Sequence, residues 1–324
     1  MLKSKSLFII MMSYGTILTA SSNNWISMWM GLEINMMAFI PLISDKNKNS
    51  SQAMMIYLLT QSISSMVLMF SIMMFHLTMM EMFNNLMLIS LLIKLGAAPF
   101  HMWLPEIMTK MSWNSATLLM TWQKIAPMIM INSLNFNNKI MYGTILVSVI
   151  VGAIGGLNQL SMRKIMAYSS INHLGWMLSL SKIKNNWIIY LSIYSLMIIA
   201  LCAMFNQYNI IHINQINNMN MSFMEKINYF VAMMSLGGLP PFLGFLPKWL
   251  VIQTFMSTNM IIMMVVMVMF SLVSLFYYMR TMTGMMMSFS MSNKWMLIKS
   301  NMNITVIMLL LNLSLPLILI VNMI

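Results

Sequence analysis

The chain has 324 residues and a mass of 37.3 kDa; it is 60% hydrophobic, only 7% charged, and has a mean hydropathy of +0.81. Its 17 basic and 5 acidic side chains could not cover a folded surface of this size in water, so lipid must face most of it and a water-soluble enzyme is excluded. The net charge of +12 is then expected in loops at the membrane surface and requires no nucleic acid.

A single cysteine, Cys202, excludes a disulfide framework and a cysteine-bound iron–sulfur cluster within this chain. The histidines, at 76, 101, 173 and 212, lie far apart without metal-ligand spacing. No polar stretch is long enough to fold a nucleotide-binding domain, so redox or nucleotide chemistry is expected on partners. The 50 methionines fit AT-rich codon usage. Methionine is flexible and apolar and replaces leucine in lipid-facing helices at little cost, and its even spread argues against a copper pathway.

A bilayer core about 30 Å thick needs roughly 20 apolar residues per helix. On that measure eleven spans are predicted, and the fold class is an all-α polytopic membrane protein. The first, 7–20, follows Met1-Leu2-Lys3-Ser4-Lys5, which resembles a signal peptide but lacks a small-x-small cleavage site and is read as a retained helix. The second, 24–44, carries Glu33 near its middle, and the third covers 52–76. The fourth, 84–108, holds Lys94, His101 and a Gly- and Pro-rich stretch, and the fifth, 114–134, has Lys124 about 15 Å from either end. The sixth, 140–160, contains Gly152-Ala153-Ile154-Gly155-Gly156. That run imitates part of a dinucleotide fingerprint but sits in an apolar helix, where small residues serve close packing. The seventh, 163–181, contains His173; the eighth is 186–208. The ninth, 226–257, is too long for a simple span and contains Lys248, and 259–280 and 303–323 complete the set.

An odd number of spans places the termini on opposite faces. The N-terminal side then collects Lys3, Lys5, Lys46, Lys48, Lys110, Arg163, Lys164, Lys226, Arg280, Lys294 and Lys299, against Lys139, Lys182 and Lys184 opposite. This positive-inside bias puts the N-terminus on the cytoplasmic face, or on the matrix face of a mitochondrion.

The three remaining bases, Lys94, Lys124 and Lys248, fall inside spans, as does Glu33. A charge at a helix centre costs about 2.5 to 3.5 kcal/mol on insertion scales, so their presence asks for a reason. Ion pairs or neutral lysines could tie the bundle together, but one acid cannot match three bases. A midplane chain of protonatable groups is the reading adopted. His101 and His173 fit either a relay or a core histidine bonded to a carbonyl, whereas His76 and His212 lie near span ends.

The ninth segment contains Gly237-Gly238-Leu239-Pro240-Pro241-Phe242-Leu243-Gly244-Phe245-Leu246-Pro247-Lys248, and the fourth carries a partial copy displaced by 142 residues, Gly96-Ala97-Ala98-Pro99-Phe100-His101-Met102-Trp103-Leu104-Pro105-Glu106. Glycine and proline in mid-membrane break helices and free backbone carbonyls, which only protein or a wet cavity can satisfy. Five spans separate the copies. An inverted repeat with halves 1–138 and 139–280, a discontinuous helix in each, and an added helix 303–323 is therefore expected; two unrelated proline kinks are the simpler alternative.

These stretches, with Gly31-Leu32-Glu33-Ile34-Asn35-Met36, Thr121-Trp122-Gln123-Lys124-Ile125-Ala126-Pro127, Arg163 to Trp176 and Gly244-Phe245-Leu246-Pro247-Lys248-Trp249, resemble the mitochondrially encoded NADH dehydrogenase subunit 2 family of respiratory complex I, in its shortened, insect-like animal form. The resemblance spans nearly the whole chain. It implies an antiporter-like, proton-translocating subunit of the membrane arm in the mitochondrial inner membrane. It further implies that NADH, flavin, iron–sulfur clusters and ubiquinone sit on partner subunits, with other membrane-arm and accessory subunits and lipid as neighbours. Carried onto this sequence, Glu33 pairs with Lys94, Lys124 is the central relay lysine and Lys248 belongs to the second broken helix, with His101 and His173 auxiliary. Pairing with Glu33 would hold a proton on Lys94, and separation would release it towards Lys124. Full-length bacterial relatives are expected to have three further N-terminal helices. A stand-alone sodium(cation)/proton antiporter is the alternative, and a purely structural spacer a third reading.

Overall fold

The computed structural model describes residues 2–44, 48–78, 80–134, 138–181, 186–217, 222–287, 309–310 and 312–314. Apart from one isolated bridge between Ser161 and His212, regular structure among the described residues is helical. In chain order the helices are α1 (Leu2–Ser21), α2 (Trp25–Ile43), α3 (Lys48–Thr78), α4 (Glu81–Leu95), α5 (Trp103–Lys110), α6 (Trp113–Met120), a 3-10 turn (Trp122–Lys124) and α7 (Ile125–Ser133). There follow α8 (Asn138–Leu157), α9 (Met162–Leu180), α10 (Trp187–Gln207), α11 (Ile213–Asn217), α12 (Phe223–Gly237), α13 (Phe245–Ser257) and α14 (Ile261–Met287). Among the described residues, five stretches, Trp25–Ile43, Asn49–Thr78, Lys139–Leu157, Trp187–Gln207 and Ile261–Gly284, are long and apolar enough to cross a membrane.

Most helix ends fall within a few residues of the predicted limits, and the differences have local causes. The predicted segment 226–257 starts earlier, because Ser222 and Glu225 form a capping box in which the Ser222 backbone N–H and hydroxyl both donate to Glu225 Oε2 at 2.8 Å. The predicted single helix 114–134 is split into α6 and α7. Pro127 has no N–H to offer the Gln123 carbonyl and its ring crowds that turn, so the chain tightens into the 3-10 turn carrying Lys124. Lys124 therefore lies at a helix break and not in mid-helix. Of the predicted span 303–323, only residues 309–310 and 312–314 are described, and the loop lysines 46, 182, 184, 294 and 299 lie outside the described residues.

The chain divides into two compact units. The first comprises Met1–Ser148 and His173–Asn185, that is α1 to α7, the start of α8 and the end of α9. Its closest helix pairing is α1 on α2, where Gly15 and Gly31 let the backbones meet: a Cβ on Gly15 would come within 2.9 Å of the Gly31 carbonyl oxygen. The second comprises Val149–Asn172 and Asn186–Ile324, with α14 packing on α11, α12 and α13.

Serines in these helices mostly satisfy themselves. Ser64, Ser71, Ser90, Ser148 and Ser179 each donate to the carbonyl three residues earlier at 2.6–2.8 Å. A hydroxyl bonded within its own turn can sit in lipid or core without a partner, so serine content does not mark a site. Side chains that reach across helices do.

Candidate functional site

In the first unit α2 and α4 bring Glu33 and Lys94 together. Lys94 Nζ lies 3.6 Å from Glu33 Oε1, close enough for Coulombic attraction but too long for a hydrogen bond, and that oxygen makes none. The Lys94 side chain is 3% exposed and that of Glu33 22%, so the carboxylate keeps a path outward while the base is enclosed. Lys94 sits in the last turn of α4, where the unpaired carbonyls of a helix end favour a cation.

Lys94 and Lys124 line one small cavity of about 20 Å³, together with Asn35, Tyr57, Gln61, Trp103, Gln123 and Pro127 among others. The 3-10 turn created by Pro127 places Gln123 and Lys124 side by side at its edge. Gln123 is the hub: its amide N–H groups donate to Asn35 Oδ1 at 3.1 Å and to Met12 Sδ at 3.4 Å, and its oxygen accepts from the Tyr57 hydroxyl at 3.3 Å. Gln61 donates to the Lys94 carbonyl at 3.3 Å. Tyr57 is fixed edge-on between Phe39 and Trp103, with ring centroids 5.1 and 6.2 Å away. The two lysines thus share a space of mixed polar and apolar lining with room for about one water molecule. Sequence reasoning singled out none of Asn35, Tyr57, Gln61 and Gln123. The one available signal was that an uncharged amide inside a span needs a partner.

In the second unit Lys248 Nζ donates to the Gly237 carbonyl at 2.7 Å, at the C-terminal end of α12. Its stem lies against Gly238, whose φ is +74° and where a Cβ would come within 2.7 Å of the lysine Cδ. The left-handed backbone and the close approach both require glycine there. The same local structure recurs in the first unit at the displacement of 142. α4 ends at Leu95 and α5 starts at Trp103; α12 ends at Gly237 and α13 starts at Phe245. Gly96 has φ +71°. The bonds from N of Gly96 to O of Ile93, Ala97 to Leu92, Phe100 to Ala97 and Leu104 to His101 are repeated from Gly238 to Ser235, Leu239 to Met234, Phe242 to Leu239 and Leu246 to Leu243. The lysines are not equivalent, since the position matching Lys248 is Glu106, which is exposed.

His101 lies half-buried in the interruption between α4 and α5, with Nδ1 3.2 Å from the Pro99 carbonyl oxygen, and does not line the cavity. His173 is buried in α9, also outside that lining. Cys202 is buried, and among the described residues no group of three His, Cys, Asp or Glu could hold a metal ion.

Residues 22–274 match the family described as NADH:quinone oxidoreductase/Mrp antiporter, TM. The chain belongs to this family. Its family relatives include NADH-ubiquinone oxidoreductase chain 2 of Anopheles gambiae, 45% identical over 93% of this chain and 91% of the relative. That of Aedes aegypti is 45% identical over 94% and 93%. The likeness reaches mammals: the rabbit, Oryctolagus cuniculus, protein of the same name is 39% identical over 85% of this chain and 84% of the relative. Among solved structures, a chain of respiratory complex I from Thermus thermophilus superposes with a TM-score of 0.81 at 21% identity, covering 90% of this chain and 72% of that one. A chain of the Mrp complex from Dietzia sp. gives 0.76 at 17% identity, covering 86% and 59%. The antiporter-like membrane fold of the family is therefore shared well beyond recognisable sequence identity. All six candidate residues, Glu33, Lys94, His101, Lys124, His173 and Lys248, fall inside the matched stretch.

Proposed function

We propose that this chain is the antiporter-like, proton-translocating subunit 2 of the membrane arm of NADH:ubiquinone oxidoreductase, respiratory complex I, a multi-pass protein of the mitochondrial inner membrane. The observation that carries the reading is the loose Glu33–Lys94 pair at 3.6 Å, next to a small, partly polar cavity that Lys94 shares with Lys124, on the fold of this family. Glu33 holds a proton on Lys94 while paired. When the carboxylate moves away, the Lys94 ammonium gives its proton through water to a neutral Lys124, and the amides of Gln61, Gln123 and Asn35 orient that water without taking charge. Lys248 exchanges protons at the second break, and His101 and His173 serve as auxiliary groups. The chain contributes no redox centre. NADH, flavin, iron–sulfur clusters and ubiquinone belong to partner subunits, and the neighbours are other membrane-arm and accessory subunits and lipid, with no nucleic acid. The matched hydrogen bonds at displacement 142 support the reading of halves 1–138 and 139–280 as an inverted repeat within about eleven spans, each half with a discontinuous helix.

A stand-alone cation/proton antiporter is the second reading, favoured by the fold likeness to a chain of an Mrp complex. The purified chain in liposomes distinguishes the two: it should catalyse no sodium/proton exchange and no NADH oxidation, while the assembled complex translocates protons. Exchange by the isolated chain would transfer the assignment to the antiporter class.

The distribution of basic residues supports an orientation. Lys3, Lys5, Lys46, Lys48, Lys110, Arg163, Lys164, Lys226, Arg280, Lys294 and Lys299 belong to the N-terminal side and Lys139, Lys182 and Lys184 to the other, so a tag at Met1 should face the matrix and one at Ile324 the intermembrane space. Protease protection of both tags from the same side would refute this topology.

A further inference from the structure

α14 carries two neighbouring tyrosines that none of the preceding chemistry uses. Tyr277 and Tyr278 are 0% and 1% exposed, with ring centroids 4.6 Å apart and planes at 62°. The Tyr277 hydroxyl comes close to that of Tyr278 and to Asn172 on α9, and the Tyr278 hydroxyl approaches Ser169, one turn earlier on α9. These contacts are loose. Neither phenol oxygen, nor Asn172 Oδ1, makes a hydrogen bond of standard geometry. The Ser169 hydroxyl already donates to the Met166 carbonyl at 2.7 Å, which leaves its lone pairs to accept from a phenol.

The pair is held firmly on both sides. The ring of Tyr277 lies against Gly156 of α8, where a Cβ would come 2.8 Å from its Cε1. One turn further along α14, the Arg280 guanidinium donates to the carbonyls of Leu157 and Gln159, clamping the two helices. On the other side the Tyr278 ring lies beside Gly237, 3.8 Å from where a Cβ would stand, and Gly237 supplies the carbonyl that accepts from Lys248. The phenol oxygens thus face the Ser169–Asn172 turn of α9, while the Tyr278 ring lies beside Gly237, whose carbonyl accepts from Lys248. Other buried phenols, such as that of Tyr229, also lack a well-formed bond; what sets this pair apart is that its two rings lie 4.6 Å apart, with Tyr278 beside the glycine whose carbonyl accepts from Lys248.

A hydroxyl both donates and accepts, and can pass a proton on without acquiring charge. Resting on the reading that Lys248 exchanges protons, we propose that Tyr277 and Tyr278 are relay residues in series between α9 and Lys248. A proton arrives at Tyr277 Oη from water oriented by Asn172, and Tyr277 gives up its own to Tyr278 Oη. Tyr278 in turn passes its own proton through water to the neutral amine of Lys248. One O–H bond forms and one breaks on each phenol, Lys248 becomes the ammonium, and rotation of both hydroxyls resets the pair.

The test is Tyr277→Phe, Tyr278→Phe and the double variant in the assembled complex, with protons translocated per electron measured in sealed vesicles beside the solvent deuterium isotope effect. Each single variant should assemble and lose roughly twofold or more in protons per electron, with the double variant no worse than the worse single, since one gap interrupts a series. Tyr229→Phe, which removes another buried phenol packed on Phe205, should leave the ratio unchanged. A wild-type ratio in the assembled double variant would overturn the relay. Failure of the Phe variants to assemble would also overturn it, because the hydroxyls would then be structural. If Lys124→Met stops translocation while the Phe variants pump normally, this inference fails and the proposed function stands.

Discussion

Lys124→Met should leave assembly of the complex near wild-type and lower proton translocation, with the NADH oxidation coupled to it, by about tenfold or more. Methionine has a similar unbranched length, so it fills the edge of the cavity that Lys124 shares with Lys94 while offering no proton site. Lys124 is only 2% exposed, so the substitution also removes the cost of burying an amine, and the packed chain should be at least as stable. Lys124→Arg separates charge from proton exchange. The guanidinium keeps its proton at any pH near neutrality, and so this variant should pump as poorly as the methionine one. The measurement is proton uptake into vesicles containing the assembled complex, normalised to its amount. Normal pumping by Lys124→Met would make the lysine structural.

Glu33→Gln probes the pair itself. At 3.6 Å and an effective dielectric near 20, two unit charges attract by on the order of 4 kcal/mol, and no hydrogen bond adds to it. A pair of that strength can hold a proton on Lys94 and still separate, as switching requires. Glutamine preserves the shape of Glu33 and removes the charge, leaving the enclosed Lys94 without its counter-ion. Stranding one partner of a buried pair costs about 3 to 5 kcal/mol unless the group gives up its proton. Glu33→Gln is therefore expected to lower both the yield of assembled complex and its proton translocation. Adding Lys94→Met should restore the yield, because no buried charge remains, without restoring translocation. Assembled Glu33→Gln complex that pumps at the wild-type rate would remove the pair from the mechanism.

Features that depend on local chemistry are legible in the chain before it folds. Its hydrophobic content dictates a membrane protein, because so few charges cannot hydrate its surface. The interruptions after Leu95 and Gly237 were visible as glycine and proline, since those residues act on their own turn of backbone. The same locality explains why Glu33, Lys94, Lys124 and Lys248 could be picked out: an ionisable residue inside a span is conspicuous wherever its partner lies. The break at Trp122–Lys124 has its signal in Pro127, but one proline in a span is equally compatible with a mere kink in a continuous helix.

Apart from the Glu33–Lys94 pair, which the family resemblance implies, the meeting of polar groups is settled only by folding. Gln123 bonds to Met12, Asn35 and Tyr57, which lie 111, 88 and 66 residues away along the chain, and no pattern in a single sequence connects them. The Tyr277–Tyr278 pair was equally silent, for tyrosine is common at span ends and only packing against Gly156 and Gly237 gives this pair its neighbours. Hydropathy measures the transfer of one residue into lipid, whereas the shared cavity of Lys94 and Lys124 depends on how several helices cross. That geometry is set by small-residue contacts such as Gly15 on Gly31, an energy that exists only once the helices are assembled.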